Sequence, residues 1–167
     1  MGYLFDSDAL ITPNNTWYTT EFCPAYWELL LRANANGEAL SIEKVFEEVQ
    51  RVDDEVASWA VTNKHFFEPL DLATTENYKT VAEYIYGLRQ PIEEAAKTEF
   101  LRGADPLLVA YALTHNHTVV TCENEVGNGC KTVKLPNVCK HFGVRSISPM
   151  LVPRELGACF KLKIDKE

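Results

Sequence analysis

Apolar positions follow two patterns along this chain: short continuous runs, and stretches in which they recur three and four residues apart. Tyr3-Leu4-Phe5 is a run of the first kind, ends at Asp6, and predicts a buried strand. Residues 12–20 (TPNNTWYTT) are rich in turn formers and predict a loop. Tyr26, Trp27, Leu30 and Leu31 repeat at helical spacing, with Pro24 near the start and Gly37 past the end. Ser41 is a good N-cap for a helix over SIEKVFEEVQRV, and Asp53 or Asp54 for one carrying Val56, Trp59 and Ala60. Residues 74–89 and 91–101 predict two further helices, the second opened by Pro91.

Asp105-Pro106 reads as an N-cap followed by proline at the first helical position, and LLVAYALTH beyond it is apolar on nearly all sides, as a buried helix is. Thr118-Val119-Val120-Thr121 predicts a second buried strand ending near Glu123. A Gly-rich turn, Val126 to Gly129, leads to an expected third strand at Thr132–Leu135, stopped by Pro136. Asn137 then caps a short helix ending at Gly143, Val144 to Ile147 form a fourth strand, and the tail CFKLKI an edge strand. One strand, several helices, then alternation of the two predict an α/β domain with a mainly parallel sheet. In such sheets ligands bind beyond the carboxyl ends of the strands, where the strand order reverses. No repeat or linker divides the chain, so residues 1–167 are expected to form a single domain.

A length of 167 residues, 46% apolar and 24% charged, is that of an ordinary globular domain and excludes disordered, collagen and disulfide-scaffold classes. No apolar run approaches the roughly 20 residues that span a bilayer. MGYLFDSDAL has no basic segment before an apolar stretch, and Met1-Gly2 lacks the downstream Ser or Thr that myristoylation prefers, so a cytoplasmic protein is expected. Five cysteines, an odd number without a CxxC, point to reduced thiols; His115, His117 and His141 lie near three of them at spacings that match no zinc motif. Charge is uneven. Residues 1–120 hold 8 basic and 19 acidic side chains; residues 121–167 hold 8 and 5. A polyanion would therefore approach the C-terminal third.

Four acids fall where chemistry is expected. Asp6 and Glu123 sit at or just past the ends of buried strands, and Asp105 at the start of a buried helix. In the helix expected after Ser41, the apolar stripe is Ile42, Val45, Phe46, Val49 and Val52. Glu47 lies almost opposite it, while Glu48 lies on its border, within reach of a cleft. Converging carboxylates repel one another, and a hard divalent cation, Mg²⁺ or Mn²⁺, relieves that repulsion. Each acid also has a plain alternative: Asp105 as a helix cap, Glu48 as a solvated helix acid, Glu123 as a loop acid. Asp6 is the hardest to dismiss, because a carboxylate directly after a buried strand is costly unless paired or solvated. Asp8 is a supporting ligand or a loop cap, and Ser7 and Thr121 can hydrogen-bond these carboxylates.

LFDSDALI, an acid in VFEEV, GADPLLVAYAL and HTVVTCE, in this order, resemble the PIN-domain nucleases, and KLPNVCKHFGVRSISP is similar to a bacterial PIN-like family. The resemblance spans nearly the whole chain. It implies a PIN-like, Rossmann-like three-layer α/β/α fold and metal-dependent cleavage of RNA. It assigns Asp6, Glu48, Asp105 and Glu123 to a Mg²⁺ or Mn²⁺ site, whose bound water attacks the phosphodiester, with Ser7, Asp8 and Thr121 in support. The fourth acid is usually Asp, and here Glu123 is one methylene longer; Asp8 stands where many PIN domains carry Ser or Asn. Many small PIN proteins are toxins of toxin–antitoxin pairs, so an inhibitory antitoxin protein is an implied partner. Lys131, Lys134, Lys140 and Arg145, all in the basic third, are candidates for holding the RNA backbone, or solvated surface charges.

Two other readings compete. FDSDALIT also resembles the first motif of haloacid-dehalogenase-type phosphatases, with Asp6 as nucleophile and Asp8 as general acid, but the acidic pair that reading needs after a lysine is missing. The other is a non-catalytic PIN-fold module that binds RNA or protein. The aromatic residues Trp17, Tyr18, Phe22, Tyr26 and Trp27 suit base stacking, although the helical spacing of Tyr26 and Trp27 favours a core or a homodimer face.

Overall fold

A computed structural model describes residues 1–89, 91–127 and 129–161. Five parallel strands form one sheet: β1 (Tyr3–Phe5), β2 (Ala39–Ile42), β3 (Phe67–Glu68), β4 (Thr118–Val120) and β5 (Ser146–Ile147), in the order β3-β2-β1-β4-β5. The register sets Leu4 beside Leu40 on one side and Val119 on the other. The expected α/β class with a parallel sheet is therefore observed, in a Rossmann-like three-layer form. Strands buried on both faces read as continuous apolar runs, which is why β1 and β4 stood out in the sequence.

Helices α1 (Asp8–Asn15) and α2 (Pro24–Ala35) connect β1 to β2; α3 (Glu43–Val49) and α4 (Glu55–Thr62) connect β2 to β3. Helices α5 (Leu72–Gly87), α6 (Glu94–Arg102) and α7 (Asp105–His115) lead to β4, then α8 (Leu135–His141) to β5, with a short α9 (Val152–Glu155) after it. The α5–α7 pair is the most extensive helix contact. Tyr26, Phe5, Phe66, Leu4 and Leu108 are wholly buried in the core. Among the described residues no helix is long and apolar enough to cross a membrane.

Five expectations are corrected. The loop expected over residues 12–20 begins as helix: α1 runs through Pro13 to Asn15, because Ala9, Leu10 and Pro13 bury one face and the buried Asn14 amide oxygen accepts from the Thr20 N–H at 3.1 Å. Ser41 is not an N-cap. It lies inside β2, wholly buried, where its hydroxyl donates to the Phe5 carbonyl at 2.6 Å and so satisfies itself across two strands. Pro91 does not open a helix; α6 starts at Glu94. Residues 132–135 form no strand. Lys134 is instead the N-cap of α8, so Pro136 opens that helix rather than stopping a strand, and the Asn137 side chain pins the preceding loop through the Val126 N–H and carbonyl. Asp105 is not the cap of α7: Ala104 occupies that position, and Asp105 is the first helical residue. Half of the expected edge strand in the tail, residues 162–164, lies outside the described residues, and residues 159–161 form no strand.

Candidate active site

The strand order reverses between β1 and β4, so the chain leaves their carboxyl ends in opposite directions and opens a crevice there. Asp6 follows β1 directly and is nearly buried. Its Oδ1 accepts the Ser7 N–H at 2.6 Å and its Oδ2 accepts the Thr121 hydroxyl at 3.1 Å. Burial, then the facing carboxylates of Asp105 and Asp8, hold the Asp6 carboxyl well above the usual range, against the pull of the Ser7 N–H.

Asp105 enters from the first turn of α7. Burial, then Glu123, Glu48 and Asp8, push its carboxyl up to about 7, with Lys134 pulling the other way. Among the described residues no donor hydrogen-bonds its carboxylate. Glu48, on the border of the α3 stripe, reaches across to the other helical layer: Oε1 accepts the Ala104 N–H at 2.9 Å and Oε2 the Ser7 hydroxyl at 3.1 Å. Glu47 instead faces solvent and pairs with Lys44. Glu123, after β4, accepts Lys134 Nζ at 2.6 Å and the Leu135 N–H at 3.0 Å. Asp8 accepts the Cys122 N–H at 3.1 Å, which ties the start of α1 to the end of β4. The Thr121 hydroxyl, besides donating to Asp6, accepts the Glu123 N–H at 3.1 Å.

All seven expected acids and hydroxyls thus meet at one place, linked by charge or hydrogen bonds. The four expected basic residues do not. Lys134 is in the site, bound to Glu123; Lys131 pairs with Glu93 and Lys140 with Glu125, in the adjoining loop. Arg145 precedes β5 at the amino end of the sheet, away from the crevice, and pairs with Glu155. Tyr26 and Trp27 are core, Tyr18 stacks on Tyr26 with ring centres 4.3 Å apart, and of the expected aromatics Trp17 and Phe22 are exposed. Trp17 lines a cavity of about 400 Å³ beyond β4 and β5, with Thr121, Glu123, Ser146 and Ser148. A second cavity, of about 620 Å³, lies on the Glu48 side and is lined by Arg51, Arg102 and Gly103. The sequence reading passed over these two arginines, because they stand in an acidic stretch of chain.

The donor set is oxygen-only and its members repel one another, which suits a hard divalent cation. Asp6 and Asp105, each raised by burial and by the other acids of the crevice, are the pair that would hold one. Among the described residues no three of these side chains are gathered into a ready cage. Glu48 and Glu123 each spend both oxygens on protein donors; every such oxygen keeps a second lone pair.

The chain folds as a doubly wound α/β sheet with an acidic crevice at its switch point. It belongs to the family described as domain of unknown function DUF4411, whose model matches residues 3–160. No curated protein matches the chain.

Proposed function

We propose that the protein is a metal-dependent ribonuclease of the PIN type, acting at the Asp6–Asp105 crevice with Mg²⁺ or Mn²⁺. The observation that carries this reading is the convergence of Asp105 with Asp6, Glu48 and Glu123 at a strand-order reversal, where burial and mutual repulsion raise the Asp105 carboxyl. A fold has no structural need for such repulsion, whereas a cation site does. A divalent cation there supplies Lewis acidity toward a phosphodiester. The chain's own residues do the positioning. Thr121 and the Ser7 N–H fix the Asp6 carboxylate on both oxygens, Ser7 couples it to Glu48, and Lys134 holds Glu123 beside Asp105. The toxin role, with an antitoxin that covers the crevice, belongs to this reading as the simplest control of such an activity.

The hydrogen bonds that occupy Glu48 and Glu123 favour a second reading, a non-catalytic binding module in which these two acids are structural latches. Cleavage of a panel of single-stranded and structured RNAs separates the two. Wild type should cut with Mn²⁺ or Mg²⁺ and not with chelator, and Asp105→Asn, folded by circular dichroism, should not cut. Metal-independent binding without cleavage would favour the module.

A further inference from the structure

Two arginines line the cavity on the Glu48 side. Arg51 follows α3 and Arg102 ends α6, and both side chains are exposed on the wall of that cavity of about 620 Å³. Among the described residues neither arginine forms an ion pair or a side-chain hydrogen bond, whereas Lys131, Lys134, Lys140 and Arg145 are each committed to a carboxylate. The cavity also adjoins the acids. Gly103 lines it, and a Cβ on Gly103 would stand 3.6 Å from Glu48 Oε1. Glu99 is the acid on the same wall, so the local balance is two positive charges to one negative.

We infer that Arg51 and Arg102 form a phosphate-binding arm that holds the backbone of single-stranded RNA beside the acidic crevice; this rests on the ribonuclease reading for the identity of the polyanion. Guanidinium groups suit the task, since each presents a planar fork of donors to phosphate oxygens and stays charged. An open cavity in contact with the active site takes a flexible strand more readily than a rigid duplex. The arm also answers an electrostatic difficulty. A strongly acidic crevice repels RNA, and a fixed positive charge at its rim offsets that repulsion where the strand enters.

The test is binding of a fluorescein-labelled 12-nucleotide oligouridylate, followed by anisotropy over a series of salt concentrations with Mn²⁺ and with chelator. Arg51→Ala/Arg102→Ala should bind about tenfold more weakly near 0.1 M salt. Its slope of log affinity against log salt should flatten by about 1.4, because each lost phosphate contact removes about 0.7 for a single strand. Lys131→Ala/Lys140→Ala should stay within twofold of wild type. Unchanged affinity in the arginine variant, or an equal loss in the lysine variant, overturns the arm. So does a duplex bound as tightly as the single strand. If the arginines only neutralise helix C-termini, thermal stability falls while affinity and slope hold, which also overturns it. The two proposals fail separately: arginine-dependent binding without cleavage defeats the nuclease alone, and cleavage indifferent to the arginines defeats the arm alone.

Discussion

The two ends of the same sheet handle charge in opposite ways. At the amino end, Arg145 forms a two-pronged pair with Glu155, whose Oε2 also accepts the Tyr3 hydroxyl at 2.9 Å. These bonds hold the Glu155 carboxyl below its ordinary range. At the carboxyl end, Asp6 and Asp105 face each other and both rise. Opposite charges paired in the open contribute modest stability and imply no chemistry. Like charges gathered in a half-closed crevice cost stability, and that cost makes sense where a cation or a proton is to be held.

The largest expected effect tests that contrast in activity. Asp105→Asn or Asp6→Asn should lower RNA cleavage at least a thousandfold, about 4 kcal/mol of barrier, while Arg145→Ala stays within twofold. Comparable losses at both ends would erase the distinction.

Stability against pH should have opposite signs at the two ends. The folded values of Asp6 and Asp105 lie above the unfolded carboxylate value of 3.8. The stability they contribute is therefore full below about pH 4 and is lost as pH rises through the folded value, about 7 for Asp105. Glu155 is lowered, so its contribution is present above the ordinary carboxylate range and is lost as pH falls through its folded value. In chelator, Asp105→Asn should stabilise the protein at pH 8 by on the order of 2 kcal/mol and leave it unchanged at pH 4. Denaturant melts at the two pH values check this; a destabilised variant at pH 8 would show that Asp105 is structural.

Ser41→Ala removes a buried bond between β1 and β2 without touching the acids. A loss of about 1–2 kcal/mol is expected in urea melts, with the cleavage rate of the folded protein unaltered. A fall in rate matching the stability loss would mean that the crevice depends on that strand seam. The smallest effect is at Arg145→Ala, within about 1 kcal/mol and shrinking in high salt, because the pair is largely solvated.

The parts of the molecule legible in the sequence are those where one rule dominates. β1 and β4 are continuous apolar runs ended by polar residues, and Asp54 caps α4 by accepting the Ala57 N–H, as its type and position suggest. Helical periodicity also placed Glu47 toward solvent and Glu48 on the border of the apolar stripe, as the structure has them. Expectations failed where a local signal was overridden by tertiary contact. Ser41 has the composition of a cap and the environment of a strand, because its partner is a carbonyl 36 residues away. β3 is two residues long, too short for any pattern. Net charge does not reveal pairing: all four candidates of the basic third form ion pairs with acids, Arg145 at the far end of the sheet. Arg51 and Arg102, more than fifty residues apart in the chain, line one cavity beside the hydrogen bond from the Ala104 N–H to Glu48.

The proposed nuclease needs the carboxyl-end acids to hold a divalent cation. Titration calorimetry with Mn²⁺ on wild type, Asp105→Asn and Glu155→Gln tests it without any RNA. Wild type and Glu155→Gln should bind saturably, and Asp105→Asn with at least a tenfold weaker affinity. Equal binding by all three proteins, or no binding by wild type, would contradict it.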